Sequence, residues 1–310
     1  MRQLRSVPPP GRGESPVPEP LGPDELSSLL ARTSRTFALT IPLLAEPLAT
    51  DVGLAYLLFR IADTLEDAPT WGRDARMAAL DSFGEWLVGD EDERAWLATV
   101  AAAPPTEDQG CLALLGRAEA VRAAVTARGA DIAVAMTLDV VRTSSKMAEF
   151  VARQTEAGGI TLTDLPDLRE YCYAVAGIVG ELLTELFLTR DPSLEPSRDA
   201  LLELAPEFGE GLQLVNILKD APSDAREGRF YLPPGVDRAE VVRLARSDLE
   251  RANEYVAILK RAGASSQVRT FCELPVRLAE ATLDRLEEGA AKLTREEVMA
   301  IFVELTRSAP

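Results

Sequence analysis

Arg60 to Asp67 reads Arg-Ile-Ala-Asp-Thr-Leu-Glu-Asp, with three carboxylates within five positions, directly after an apolar run from Val52 to Phe59. At about 100° per residue, Asp63, Glu66 and Asp67 share one helical face. Like charges one turn apart repel by a few tenths of a kcal/mol per pair, so a purely structural helix gains nothing from them. A site for a hard divalent cation does. Mg2+ takes oxygen ligands and is commonly held by one or two carboxylates together with substrate phosphates. A second polar stripe runs through Gln213, Asn216, Asp220 and Asp224, on a helix otherwise filled with Leu, Val and Ile. Either stripe alone also fits a solvated helix face. Two of them facing across a helical core would make a metal–diphosphate site above an apolar cavity. Diphosphate leaves readily once its charge is neutralised, and Mg2+ does this as a Lewis acid. The chemistry expected is ionisation of an allylic diphosphate in a dry pocket.

Basic residues complete the charge pattern. Arg35, Arg60, Lys219, Arg226 and Arg229 lie in or beside the two stripes. Arg60 precedes Asp63 by one turn, so it either pairs with that acid or clamps phosphate through its planar fork.

Composition excludes several alternatives. The 310 residues contain no histidine, which removes Ser-His-Asp and Cys-His schemes and the usual zinc ligand sets. A net charge of −17 argues against nucleic acid and anionic surfaces as partners. Cys111, Cys172 and Cys272 are odd in number and widely spaced, as expected of reduced core thiols. No signal peptide and no apolar run of about 20 residues is read, so no transmembrane segment is expected.

These groups must be positioned by helices. Residues 1–22, rich in Pro, Gly and charge, read as a disordered lead-in, and 23–310 as one all-α domain. Asp24 is expected to cap a helix beginning at Glu25. Helical periodicity recurs over 50–66, 74–88, 111–127, 129–155, 164–189, 197–221, 238–262, 267–288 and 295–307. The stretch 171–189 is apolar all round and belongs at the centre of a bundle. Its Gly177 and Gly180 fit either close packing of a neighbouring helix or clearance for a bulky apolar ligand.

Four ordered stretches resemble the squalene/phytoene synthase family, the head-to-head prenyl transferases. They are SRTFALTIPLL (34–44), YLLFRIADTLED (56–67), YCYAVAGIVGELLTELF (171–187) and LQLVNILKDAPSDAREGRFYLP (212–233). DTLED and FCELPVRLAEATL (271–283) resemble the squalene synthase branch. The resemblance covers about residues 25–305 and implies an isoprenoid-synthase-type helical bundle with a central apolar cavity. It implies that Asp63, Glu66, Asp67, Asp220 and Asp224 hold Mg2+, with Mn2+ as an alternative. Two farnesyl diphosphates would condense to presqualene diphosphate, and NADPH would then reduce this to squalene. Tyr171, together with Asp63, Asp67, Asp220 and Asp224, would carry catalysis. Ser34, Arg35, Phe37, Tyr56, Arg60, Gln213, Asn216, Lys219, Arg229 and Phe271 would form the substrate shell, and Asn216 and Lys292 would contact NADPH. A cytoplasmic location is implied, with peripheral contact at the inner membrane face for release of an apolar product.

The chain departs from the family pattern at four places. Lys219 stands where an Arg is usual, and Ser223 where an acid commonly precedes the last Asp. Pro222 is expected to kink or end the helix and so to displace Asp224. Thr294 replaces a basic residue in the segment associated with NADPH. Phytoene, dehydrosqualene or hydroxysqualene synthesis, a single-substrate terpene cyclase and a non-catalytic helical assembly factor stand as alternatives.

Overall fold

The computed structural model describes residues 19–34, 37–89, 95–154, 162–226, 228–289 and 292–308. Among them the chain is helical, and no strand forms. The helices are α1 (Pro23–Thr33), α2 (Phe37–Thr40), α3 (Leu48–Glu66), α4 (Arg73–Val88), α5 (Ala95–Ala102), α6 (Gln109–Leu115), α7 (Ala118–Thr126), α8 (Ala130–Ala152), α9 (Leu165–Cys172), α10 (Ile178–Arg190), α11 (Arg198–Arg226), α12 (Arg238–Arg261), α13 (Ser266–Glu287) and α14 (Arg295–Ser308).

Several boundaries differ from the sequence reading for local reasons. α1 begins at Pro23 after the N-cap Gly22, so Asp24 sits in the first turn rather than capping it. Pro suits that position because its missing N–H would have no partner there. The expected helix over 111–127 is two helices, parted at Gly116-Arg117. Of the expected lead-in, residues 1–18 lie outside the described residues, whereas Glu19 is held through its carbonyl by Arg117 at 3.0 Å and Leu21 packs on the core.

α3 is buried on nearly every face. It packs against α1, α4, α7 and α8, and Leu57, Leu58 and Ile61 are fully enclosed. Its N-terminal half carries a buried acid, Asp51, which accepts from Arg128 at 2.5 Å and Arg190 at 2.6 Å. α9, a π-helical turn at Tyr173–Gly177 and α10 follow without a break. By length and apolar composition, Leu165–Arg190 could cross a membrane, contrary to the expectation that no such run exists. Here it is the central helix of the bundle, packed against α11, α8 and α3, and 56% of its most apolar window is buried.

The glycines of this helix are placed for close packing. A Cβ on Gly180 would stand 2.0 Å from the Ala205 carbonyl oxygen, and one on Gly209 of α11 would stand 2.0 Å from the Ala176 carbonyl oxygen. The two backbones touch, and no side chain fits between them. Gly177 packs on the Tyr173 ring and Glu210.

α11 runs from Arg198 to Arg226 through Pro206 and Pro222, so the helix does not end at Pro222. A proline removes one ladder bond and crowds the preceding turn. Ser223 Oγ donates to the Asp220 carbonyl at 2.7 Å one turn back, and the helix continues past Asp224. Cys111, Cys172 and Cys272 are free, buried thiols, as expected.

Candidate active site

Two adjoining cavities lie between α3, the α9–α10 helix and α11. The apolar one, about 350 Å3, is lined by Phe37, Tyr56, Phe59, Met147, Val179, Leu183, Phe208 and Phe271, among others. The second, also about 350 Å3, is walled by Asp63, Glu66 and Asp67 on one side and Asp220, Ser223 and Asp224 on the other. Asp63, Tyr171, Gln213 and Asn216 line both. The two acidic stripes thus line one cavity that adjoins an apolar hollow.

The apolar wall follows from helix periodicity. Val52, Ala55, Tyr56 and Phe59 recur at helical spacing and share the cavity face of α3, whereas the fully buried Leu57 and Leu58 do not line the hollow. Tyr56 donates to the Thr33 carbonyl at 2.8 Å, and its ring meets Phe37 at 5.4 Å. Ser34 accepts the Phe37 N–H at 2.9 Å and so starts α2. Its hydroxyl is therefore tied into the helix start rather than lying free in the cavity. Arg35 lies outside the described residues.

Most carboxylates of the acid-lined cavity have a cationic partner. Asp63 pairs with Arg60, which also reaches Cys111 Sγ at 3.6 Å. Arg229 spans the gap between the walls, 3.2 Å from Asp224 and 4.0 Å from Asp67. Asp220 pairs with Lys292 and, at 3.3 Å, with Lys219. Lys219 also donates to Asn216 Oδ1 at 2.8 Å. Arg226, by contrast, turns back to the Pro222 carbonyl.

Glu66 differs from the others. It is 3% exposed, and its Oε1 has no hydrogen-bond partner. Burial, then the charges of Asp67 and Asp63, push its carboxyl well above the usual range. Burial and Asp63 likewise raise Asp67 to about 7. Behind them the buried Arg76 donates to the Glu66 carbonyl at 3.1 Å and to Gln154, and so fixes the C-terminal end of α3.

Among the described residues, no three Asp, Glu or Cys side chains are gathered closely enough to hold an ion. The donor set still fits Mg2+. Every donor is oxygen, Glu66 Oε1 lacks a partner, and Mg2+ draws part of its shell from substrate phosphates and water. Asp63, Glu66 and Asp67 would hold it from one wall, with Asp220 and Asp224 facing from the other. Bound there, the ion would supply Lewis-acid neutralisation of the leaving diphosphate.

The dinucleotide fits less well. Lys292 stands at the rim, engaged with Asp220. Thr294 forms a capping box with Glu297, accepting its N–H at 3.2 Å while the Thr294 N–H donates to Glu297 at 2.7 Å. Both residues are thus engaged by carboxylates of the chain itself.

Tyr171 is 4% exposed and stands where the two cavities join. Its ring meets Phe150 edge-on at 5.2 Å and stacks on Tyr231 at 5.3 Å. Burial and the nearby Glu66 raise its hydroxyl well above the usual tyrosine range, so it stays protonated. Tyr231 and Arg76 escaped the sequence reading. Tyr231 follows α11 in a non-helical stretch, where spacing does not tell which way a side chain faces. Arg76 lies on α4, outside every recognised motif.

Over residues 30–236 the chain matches the family model described as squalene/phytoene synthase. It is 26% identical over 288 residues to the squalene synthase of Ganoderma lucidum, covering 82% of this chain and 59% of that protein. Over 71 residues it is 48% identical to the bifunctional lycopene cyclase/phytoene synthase of Phaffia rhodozyma, covering 22% of this chain and 10% of that one. The chain thus spans less than two thirds of either relative. The structure of TcSQS in complex with E5700 superimposes with a TM-score of 0.73 at 24% identity, covering 90% of this chain and 84% of that one, which shows a shared fold. With a family match over most of the chain and the two acidic walls facing across one helical bundle, this protein belongs to the squalene/phytoene synthase family.

Proposed function

We propose that this chain condenses two farnesyl diphosphates head to head through presqualene diphosphate, and yields squalene when a hydride donor is supplied. One observation carries the reading: an acid-walled cavity opens directly into an apolar one, with Tyr171, Asp63, Gln213 and Asn216 common to both. A diphosphate headgroup and its prenyl tail need those two environments side by side.

The roles follow from the chemistry of each group. Arg60 and Arg229 offer planar forks to phosphate oxygens once their carboxylate partners turn to Mg2+. The walls of the hollow exclude water, so an allylic cation formed when the C1–O bond breaks is not quenched. Its positive charge can be met by the faces of Tyr171 and Phe37. The electron pair of the second molecule's 2,3-double bond forms the new carbon–carbon bond. Loss of a proton then closes the cyclopropane ring.

The 48% identity with the phytoene synthase relative favours keeping a second reading, in which the substrate is geranylgeranyl diphosphate. Incubation of the purified protein with each diphosphate and Mg2+, with and without NADPH, followed by lipid analysis, separates the two. A thirty-carbon product from farnesyl diphosphate is expected. Forty-carbon product alone, with no thirty-carbon lipid, would sink the farnesyl reading.

A further inference from the structure

Three acids crowd the end of α3 that suits them least. The last carbonyls of a helix have no partner within it and carry partial negative charge, which favours a cation there and disfavours carboxylates. Asp63, Glu66 and Asp67 stand at this end, the last turn of α3 contains no basic residue, and its C-cap is Asp67 rather than a left-handed glycine. The three acids also repel one another. Apolar packing holds α3 as far as the fully enclosed Ile61 and Leu65. The backbone beyond, which carries Glu66 and Asp67, needs another support.

Arg76 supplies it from α4. Its Nη1 donates to the Glu66 carbonyl oxygen at 3.1 Å, and its Nη2 donates to Oε1 of Gln154, just past the end of α8. Arg76 is 8% exposed and Gln154 4%, so water competes little for either contact. A single guanidinium thus caps α3 from another helix and ties its end to the end of α8. We propose that Arg76 is a positioning residue for the first acid wall: it holds the last turn of α3 against the repulsion of its own carboxylates, and so keeps Glu66 and Asp67 on the cavity wall, where a divalent cation would meet them. This deepens the function proposed above and rests on it for the metal-binding role of the walls.

Two measurements on the full chain test this without turnover. Mn2+ alone is the probe of the wall, its affinity read by electron paramagnetic resonance. Hydrogen exchange in metal-free protein reads the last turn of α3, through a peptide ending at Asp67, whose N–H donates to the Asp63 carbonyl at 2.9 Å. Arg76→Met keeps an apolar stem and removes the charge and both donors. It is expected to weaken Mn2+ binding by about tenfold to a hundredfold, the usual loss when an outer partner of metal ligands is removed, and to speed exchange in that peptide by about tenfold, with residues 52–59 unchanged. Arg76→Lys, which keeps a cation within reach of the Glu66 carbonyl, should recover part of both. Asp51→Ala, at the other end of α3, controls for stability: it should lower the melting temperature yet leave Mn2+ affinity within about twofold while the protein stays folded. An Arg76→Met protein that matches the native one in Mn2+ affinity and in exchange overturns the proposal. So does an equal loss of Mn2+ affinity in Asp51→Ala, which would trace the effect to general destabilisation. If the native protein makes no prenyl product but Arg76→Met still loses Mn2+ affinity and protection at Asp67, the proposed function fails and the positioning role stands.

Discussion

Arg190, at the end of α10, donates to the carboxylate of Asp51 at 2.6 Å, joining residues 139 apart in the chain. Asp51 is fully buried, and Arg128 holds its other oxygen at 2.5 Å. This pairing pins the N-terminal half of α3, the helix whose other end carries the first acidic wall. Removing one partner of a buried ion pair leaves an uncompensated charge and costs about 3–5 kcal/mol. Asp51→Ala, which strands two guanidinium groups, is expected to destabilise by that amount in urea unfolding. A loss below about 1 kcal/mol would show that α3 is held by apolar packing alone.

The metal–diphosphate reading predicts loss of function without loss of fold. Asp63→Asn and Asp220→Asn each remove a charge from opposite walls and leave the volume unchanged. Both sites are partly exposed, so melting temperatures should stay within a few degrees of native. Product formation from farnesyl diphosphate should fall below detection, and Mn2+ binding measured by electron paramagnetic resonance should weaken. Native turnover in both variants would remove the two-wall site.

Gly180 and Gly209 make a structural prediction. A methyl on either would press into a backbone carbonyl, which cannot swing aside as a flexible side chain can. Overpacking of this kind costs about 1–3 kcal/mol or more. Gly180→Ala and Gly209→Ala should each lower stability by at least that range in thermal melts. Gly53→Ala serves as the control: its Cβ would meet the end of the Leu30 side chain at 3.3 Å, which can shift. Equal effects at all three positions would contradict the close crossing of α10 and α11.

A pH dependence follows from a polar cluster away from the cavity. Arg169 on α9 donates to Glu210 of α11 at 3.1 Å and lies 3.5 Å from Asp248 of α12. Burial raises Glu210 to about 7 and Asp248 to about 6, despite Arg169. The folded state therefore binds these protons more tightly than the unfolded chain. Their contribution to stability is fully present below the unfolded carboxylate range, near pH 4, and is lost as pH rises through about 6 and 7. Unfolding free energy from this pair should fall between pH 4.5 and 7.5 and then level off, by on the order of 2–3 kcal/mol for Glu210. Glu210→Gln should flatten its share of that slope. Identical pH–stability curves for native and variant protein would rule the coupling out.

The sequence by itself determined the parts whose geometry is local. Asp63, Glu66 and Asp67 share a face because an α-helix repeats every 3.6 residues or so, and the same rule places Gln213, Asn216 and Asp220 together. The apolar girth of residues 171–189 announced a central helix for the same reason.

Tertiary structure alone decided what depends on contacts between distant segments. That Gly180 both lines the apolar cavity and admits the neighbouring backbone at Ala205 of α11 could not be read from its spacing. That the helix runs on through Pro222 to Arg226 was likewise not legible from the proline itself. Arg229 reaching across both walls and Tyr231 stacked on Tyr171 have no local period to betray them, since the chain leaves helical geometry after Arg226. Regular spacing fixes directions within a helix, but the direction of a side chain beyond a helix end is set by what the fold packs against it.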